Sequence, residues 1–124
     1  MRMTRTHDVD LAHLDAAAAA AVAETMQALA TPSRVRILSR LGAGACSVGA
    51  LALAVEMEQS AVSQQLRVLR HLGLVAHERR GRQIIYSLHD EHVGVLIAEA
   101  LAHSQHLRPA ATLARPREPR ALRA

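Results

Sequence analysis

The stretch Gln59-Ser60-Ala61-Val62-Ser63-Gln64-Gln65-Leu66-Arg67-Val68-Leu69-Arg70-His71-Leu72-Gly73-Leu74-Val75 decides how the rest of the chain is read. Val62, Leu66 and Leu69 stand four and three residues apart, the spacing of one helical stripe, so the segment forms a helix from about Gln59 to Gly73. Ser60, Ser63, Gln64, Arg67 and His71 occupy the opposite stripe, with Gln65 beside them, and no carboxylate occurs between Gln59 and His77. An ordinary solvated helix face mixes both signs of charge. A face made of Ser, Gln and Arg alone is suited to the major groove of DNA, where Gln and Ser meet base edges and Arg meets guanine or phosphate.

Upstream, Ser47 can cap a short third helix carrying Val48, Leu51 and Val55, and Glu56-Met57-Glu58 separates it from the first stretch. Two short helices joined by a turn, the second bearing the polar stripe, form a helix-turn-helix. Thr31-Pro32 supplies a capping hydroxyl and a proline at the first helical position of a second helix, with Val35, Leu38 and Leu41 on its apolar face and Gly42 and Gly44 ending it. Before that, the Ala run from Ala16 leads into Val22, Met26 and Leu29, a first helix starting near Asp15.

Downstream, Leu74 to Arg79 and Gln83 to Leu88 are rich in Val, Ile and Tyr, and Arg80-Gly81-Arg82 between them reads as a hairpin turn, the only β structure expected. Arg79, Arg80 and Arg82 cluster at its tip, where a ribbon can lie along the phosphate backbone. A charged turn alone would equally serve solubility. Beside the Gln and Ser stripe it becomes the wing of a winged helix-turn-helix. A last helix, capped by Asp90 and running to about Leu107, presents Val95, Leu96, Ala100 and Leu101 as its apolar side. The expected fold is mainly α with one small β-hairpin. Residues 1–14 form a flexible arm, 15–107 the winged domain, and 108–124 an Arg- and Pro-rich disordered tail.

Composition narrows the function. The 124 residues hold no Phe or Trp, one Tyr and one Cys, so the core is built from Leu, Val, Ile, Met and Ala, and a partner subunit is expected to supply part of the stability. One Cys makes neither an internal disulfide nor a multi-thiolate zinc site, and no signal peptide or membrane-spanning run is present, so a cytoplasmic protein without membrane contact is expected. All fifteen basic residues are Arg and the net charge is +4. They concentrate between Gln59 and His89 and in the tail, whereas Asp90 to His106 has no Arg, three acids and three His.

That Arg-free segment carries a second chemistry. At about 100° per residue, His92, His103 and His106 share one face of the last helix, and Asp90 as a cap is free to turn towards His92. Asp and His are ligands for zinc, nickel or cobalt. His92 and His103 are separated by roughly 16 Å of helix rise, too far for one metal whose ligands each lie about 2 Å from it. An antiparallel pair of last helices in a two-fold homodimer closes the gap, placing Asp90 and His92 of one subunit beside His103 and His106 of the other. His7 and His13 are candidate extra ligands, while His71, His77 and His89 read as solvated or structural. Cys46, in the loop before the third helix, reads as a small packed residue.

The run from Gln59 to Val75, the Arg-Gly-Arg wing and Tyr86-Ser87-Leu88 strongly resemble the ArsR/SmtB family of metal-responsive repressors, over about Ala16 to Leu107. The resemblance implies a homodimer that binds an inverted-repeat operator in double-stranded DNA without metal and leaves it when metal binds. It also implies that Asp90, His92, His103 and His106 form the interfacial site of the last helix. The family's thiolate site on the third helix is absent, since Ala50 to Glu58 contains no Cys, which argues against arsenic, cadmium or lead. The sequence around the four ligands is similar to that of nickel/cobalt sensors, which favours those metals. Four ligands suit tetrahedral zinc as well as cobalt, and six-coordinate nickel requires His7, His13 or the N-terminal amine in addition. Two further readings remain open: a winged-helix repressor with a redox or small-molecule effector acting at Cys46, and a helical metal-buffering protein. An enzyme is not expected, because no nucleophile, base and orienting group occur together.

Overall fold

The computed structural model describes residues 11–107, with side chains placed to residue 105. After a single exposed 3-10 turn at Leu11–His13 come helices α1 (Ala16–Ala28) and α2 (Pro32–Gly42), strand β1 (Cys46–Ser47), helices α3 (Val48–Val55) and α4 (Gln59–His71), strands β2 (Val75–Arg80) and β3 (Gln83–Leu88), and helix α5 (Glu91–Leu107). This is a five-helix winged helix-turn-helix with a three-stranded antiparallel sheet in the order β1-β3-β2.

The expected helix starts are present with the hydrogen bonds that make them. Asp15 accepts from the Ala18 N–H at 2.8 Å, Thr31 from the Arg34 N–H at 3.2 Å, and Ser47 from the Ala50 N–H at 3.2 Å, each satisfying a donor with no partner inside its helix. The end of α4 is closed by Gly73 at φ +79. Its N–H bonds the Arg70 carbonyl at 3.0 Å while the Leu74 N–H bonds the Leu69 carbonyl at 2.9 Å. That Schellman closure turns the chain straight into the wing.

The core is a single cluster in which Ile37, Leu38, Leu51, Val62, Leu66 and Leu69 are fully buried. The β structure exceeds the expected hairpin. Cys46 and Ser47 pair with Tyr86 and Ile85, adding β1 to the open edge of β3. Two residues show no alternation, so nothing in the local sequence marks such a strand. Cys46 thus lies in a strand rather than a loop, and its thiol is buried.

The inward face of α5 also differs from expectation. Val93 and Ile97 are buried, whereas Val95 is 57% and Leu101 53% exposed. Val35 of α2 is likewise partly exposed, and Ile37 takes a core position. On α1 only Ala28 is buried, leaving Val22 45% and Met26 50% exposed. Helices α1 and α5 are therefore apolar on faces that the other described residues do not cover. Between them and α2 runs an open groove of about 640 Å³, lined by Met26, Leu29, Val35, Leu96, Leu101 and His103 among others.

Candidate functional site

The polar stripe of α4 stands as the spacing predicts. Val62, Leu66 and Leu69 anchor one side, and Ser60, Ser63, Gln64, Arg67 and His71 are exposed on the other. Gln65 departs from the expected reading face. It is half-buried, and its amide oxygen accepts from the Arg34 Nε at 2.8 Å, while the same guanidinium reaches the Ala28 carbonyl at 3.4 Å. Arg34 thereby braces the end of α1 against α4 through α2, a role the sequence reading missed. An Arg on the first turn of one helix gives no local sign of a partner 31 residues away.

The turn between α3 and α4 is set by Glu56, a non-glycine residue in the left-handed region at φ 57 and ψ 51. Its N–H caps α3 at the Ala52 and Leu53 carbonyls, and its carboxylate lies 3.8 Å from the Arg36 guanidinium. Both side chains are exposed, so the pair contributes at most about 1 kcal/mol; the chain reversal itself aims α4.

In the wing, Arg80 pairs with Gln83 across the tip, and Gly81 at φ +64 takes the first central turn position, where positive φ is required. Arg79, Arg80 and Arg82 are all exposed. Neighbouring strand residues point to opposite faces, so guanidinium groups project from both sides of the ribbon. Two of them hold local partners: Arg80 Nε donates to Glu78 Oε2 at 2.7 Å, and Arg79 Nη1 donates to the Gly81 carbonyl at 3.4 Å. At the base of the wing Cys46, Tyr86 and His77 align in one cross-strand row, with the Tyr86 and His77 rings 5.7 Å apart.

At the start of α5, Asp90 is the cap the sequence suggests. Its Oδ1 accepts from the N–H groups of His92 at 2.9 Å and Val93 at 3.3 Å, and lies 3.5 Å from His92 Nδ1. Its Oδ2 lies 3.3 Å from His89 Nδ1, a neighbour not expected to take part. The hydrogen bond from His89 holds the Asp90 carboxyl below its ordinary range; desolvation opposes this, and the Val93 and His92 N–H groups and the His92 charge add to it.

A carboxylate oxygen and an imidazole nitrogen 3.5 Å apart match the separation of two ligands on one divalent ion, so this pair fits the metal the donor set suggests. His103 is exposed near the far end of the same helix, on the rim of the groove. Among the described residues, no single chain gathers three His, Cys, Asp or Glu side chains in a metal-binding group. His106 lies on the last turn of α5 with its side chain outside the described set, as is all of His7, while His13 is exposed in the 3-10 turn.

Residues 31–77, the helix-turn-helix and the start of the wing, match the bacterial regulatory protein, arsR family. Over 96 residues the chain is 62% identical to the HTH-type transcriptional regulator NmtR of Mycobacterium tuberculosis, spanning 77% of this chain and 80% of that protein. The chain belongs to the ArsR family. It is 46% identical over 84 residues to a transcriptional repressor SmtB homolog of Synechocystis, spanning 68% of this chain and 64% of that one. The solution structure of apo-NmtR superposes with a TM-score of 0.68 at 54% identity, covering 88% of this chain and 92% of that one. A homodimeric winged helix-turn-helix DNA-binding domain from Mycobacterium bovis gives a TM-score of 0.68 at 34% identity, over 75% and 87% of the two chains. As an ArsR-family member this chain is a DNA-binding transcriptional regulator and not an enzyme. No described helix is long and apolar enough to cross a membrane.

Proposed function

We propose that this ArsR-family chain is a metal-sensing repressor of the cytoplasm, a homodimer that holds an inverted-repeat operator in its apo form and releases it when nickel or cobalt binds between the α5 helices. Zinc fits the same oxygen and nitrogen donors. The observation that carries this reading is the pairing of Asp90 and His92 at one end of α5 with His103 near the other, along a helix whose Val95 and Leu101 are left exposed. A second copy laid antiparallel along the His-bearing face covers Val95 and brings His103 and His106 of one subunit to Asp90 and His92 of the other.

On DNA, Ser60, Ser63, Gln64 and Arg67 address base edges in the major groove, and Arg79, Arg80 and Arg82 address phosphate. Gln65, engaged by Arg34, holds the reading helix in place. A bound divalent ion supplies a fixed crosslink between the two α5 helices. His103 of one subunit offers a second ring nitrogen that can donate to a backbone carbonyl near Gly73 of the other, where the reading helix ends. Metal and operator then oppose each other only as far as the metal binds the released dimer more tightly than the DNA-bound one.

The test is operator affinity with and without cobalt, nickel and zinc, for the wild type, His92→Ala and His103→Gln. His92→Ala should lose metal affinity. His103→Gln should fold and bind operator yet resist release by metal; normal release in that variant would remove the proposed route, and wild type that ignores all three ions would remove the reading.

A further inference from the structure

The three residues His89, Asp90 and His92 form a tight corner in which every polar atom of the carboxylate has a defined neighbour. Oδ1 takes the two helix-capping N–H groups. Oδ2 lies 3.3 Å from His89 Nδ1, and because an ionised carboxylate only accepts, the imidazole N–H is the donor. His89 itself is fixed from behind, its backbone N–H bonding the Leu74 carbonyl at 3.0 Å. The ring is therefore offered to Asp90 from a backbone position that belongs to the end of the reading helix and not to a free loop.

We propose that His89 is a positioning residue for the metal site, its Nδ1–H clamping Oδ2 of Asp90 so that the carboxylate keeps the one orientation in which Oδ1 stands 3.5 Å from His92 Nδ1. With Oδ2 held by His89 and Oδ1 by the capping N–H groups, rotation of the carboxylate about its Cβ–Cγ bond is blocked, and the ligand arrives pre-oriented. Partners that orient metal ligands in this way are commonly worth about 10- to 100-fold in metal affinity. The inference rests on Asp90 and His92 being metal ligands.

The test is a cobalt(II) titration of the full-length protein against a competing chelator, with the visible absorption of the bound ion recorded, for wild type, His89→Ala, His89→Asn and His92→Ala. Asn places an amide N–H close to where Nδ1 stands, so it retains the donor without an imidazole. The expected result is about a 10- to 100-fold weaker cobalt affinity in His89→Ala, recovery to within a few-fold in His89→Asn, and an unchanged absorption envelope in both. Circular dichroism and apo-operator affinity stay at wild-type values, since His89 is exposed. Wild-type cobalt affinity in His89→Ala, with loss in His92→Ala, overturns the role of His89 alone. Failure of His89→Asn to recover, with a changed absorption envelope in both variants, makes His89 a ligand and also overturns it. Wild-type cobalt binding in His92→Ala instead defeats the metal-site reading beneath it.

Discussion

The wing tip allows a prediction of unusual sign, a substitution that removes a structural contact and strengthens DNA binding. Arg80 Nε is held by Glu78 Oε2 at 2.7 Å, and both side chains are about two-thirds exposed, at 67% and 62%. Exposed pairs of this kind contribute roughly 0 to 1 kcal/mol to the fold, so Glu78→Gln should leave the melting temperature almost unchanged. Glu78 takes one of the five N–H donors of Arg80, so a wing laid on phosphate brings that carboxylate towards a polyanion. If this opposes binding by about 0.5 kcal/mol per wing, within the range for exposed pairs, then Glu78→Gln tightens a two-winged dimer by about 1 kcal/mol, roughly fivefold. The gain should be equal on operator and random duplex, because phosphate carries no sequence. Arg80→Ala should weaken binding to both and lower the slope of log affinity against log salt by about 0.9 per wing. In the Arg80→Ala background the Glu78→Gln gain should shrink, the coupling expected of residues that act as a pair. Fluorescence anisotropy over a range of salt measures all of these. Weaker binding by Glu78→Gln, or an unchanged salt slope in Arg80→Ala, would refute the placement of the wing on phosphate.

Gln64→Ala should cost roughly 1 to 3 kcal/mol on the cognate operator and little on random DNA, read by competition between the two duplexes. Leu66→Ala, at a fully buried position behind the reading stripe, should lower unfolding free energy by about 2 to 5 kcal/mol in urea titration. Val95→Glu, placing a charge on the uncovered α5 face, should shift the dimer to monomer in sedimentation while helicity is kept. The lowered Asp90 pKa sets a pH dependence. Stabilisation from this group is present above the ordinary carboxylate value of 3.8 and is lost as pH falls through the lower folded-state value, so in metal-free protein Asp90→Asn should flatten the acid limb of stability against pH.

What the sequence makes legible follows from where local physics suffices. Caps at Asp15, Thr31, Ser47 and Asp90 act over two or three residues, and the α4 stripe has a strongly apolar and a strongly polar side, so both read directly. Helix α5 is harder, because Val93, Val95, Leu96, Ile97 and Leu101 are apolar nearly all round, and periodicity cannot select which of them faces this chain's own core. The choice of Val93 and Ile97 is made by β3 and α2, against which α5 packs. Gly94 permits that close approach, since a Cβ there would stand 3.3 Å from Leu88 Cδ1. Strand β1 and the Arg34–Gln65 bond are tertiary facts without local pattern. At the site, Asp90 and His92 are visible as ligand types, but the part of His89 depends on a backbone bond to Leu74 that only the fold supplies.

That backbone bond also bears on how a site on α5 can address a helix it does not belong to. The Schellman closure ties Leu74 to the last turn of α4, and the Leu74 carbonyl then accepts from His89, one residue before Asp90. The carboxylate end of the proposed metal pair is thus joined to the reading helix through two backbone hydrogen bonds and a short run of buried chain, with Leu74 and Val75 both in the core. His103, more than two turns further along α5, sits on the groove that α1 and α2 share. The proposed crosslink from Asp90 and His92 of one subunit to His103 of the other would therefore connect the reading helix of the first to the helical scaffold of the second, and the angle between the two reading helices would become a property of that crosslink. DNA demands that those helices enter successive major grooves about 34 Å apart. An ion that fixed another angle would be excluded by the operator, and the operator by the ion, to the same extent, as linkage requires.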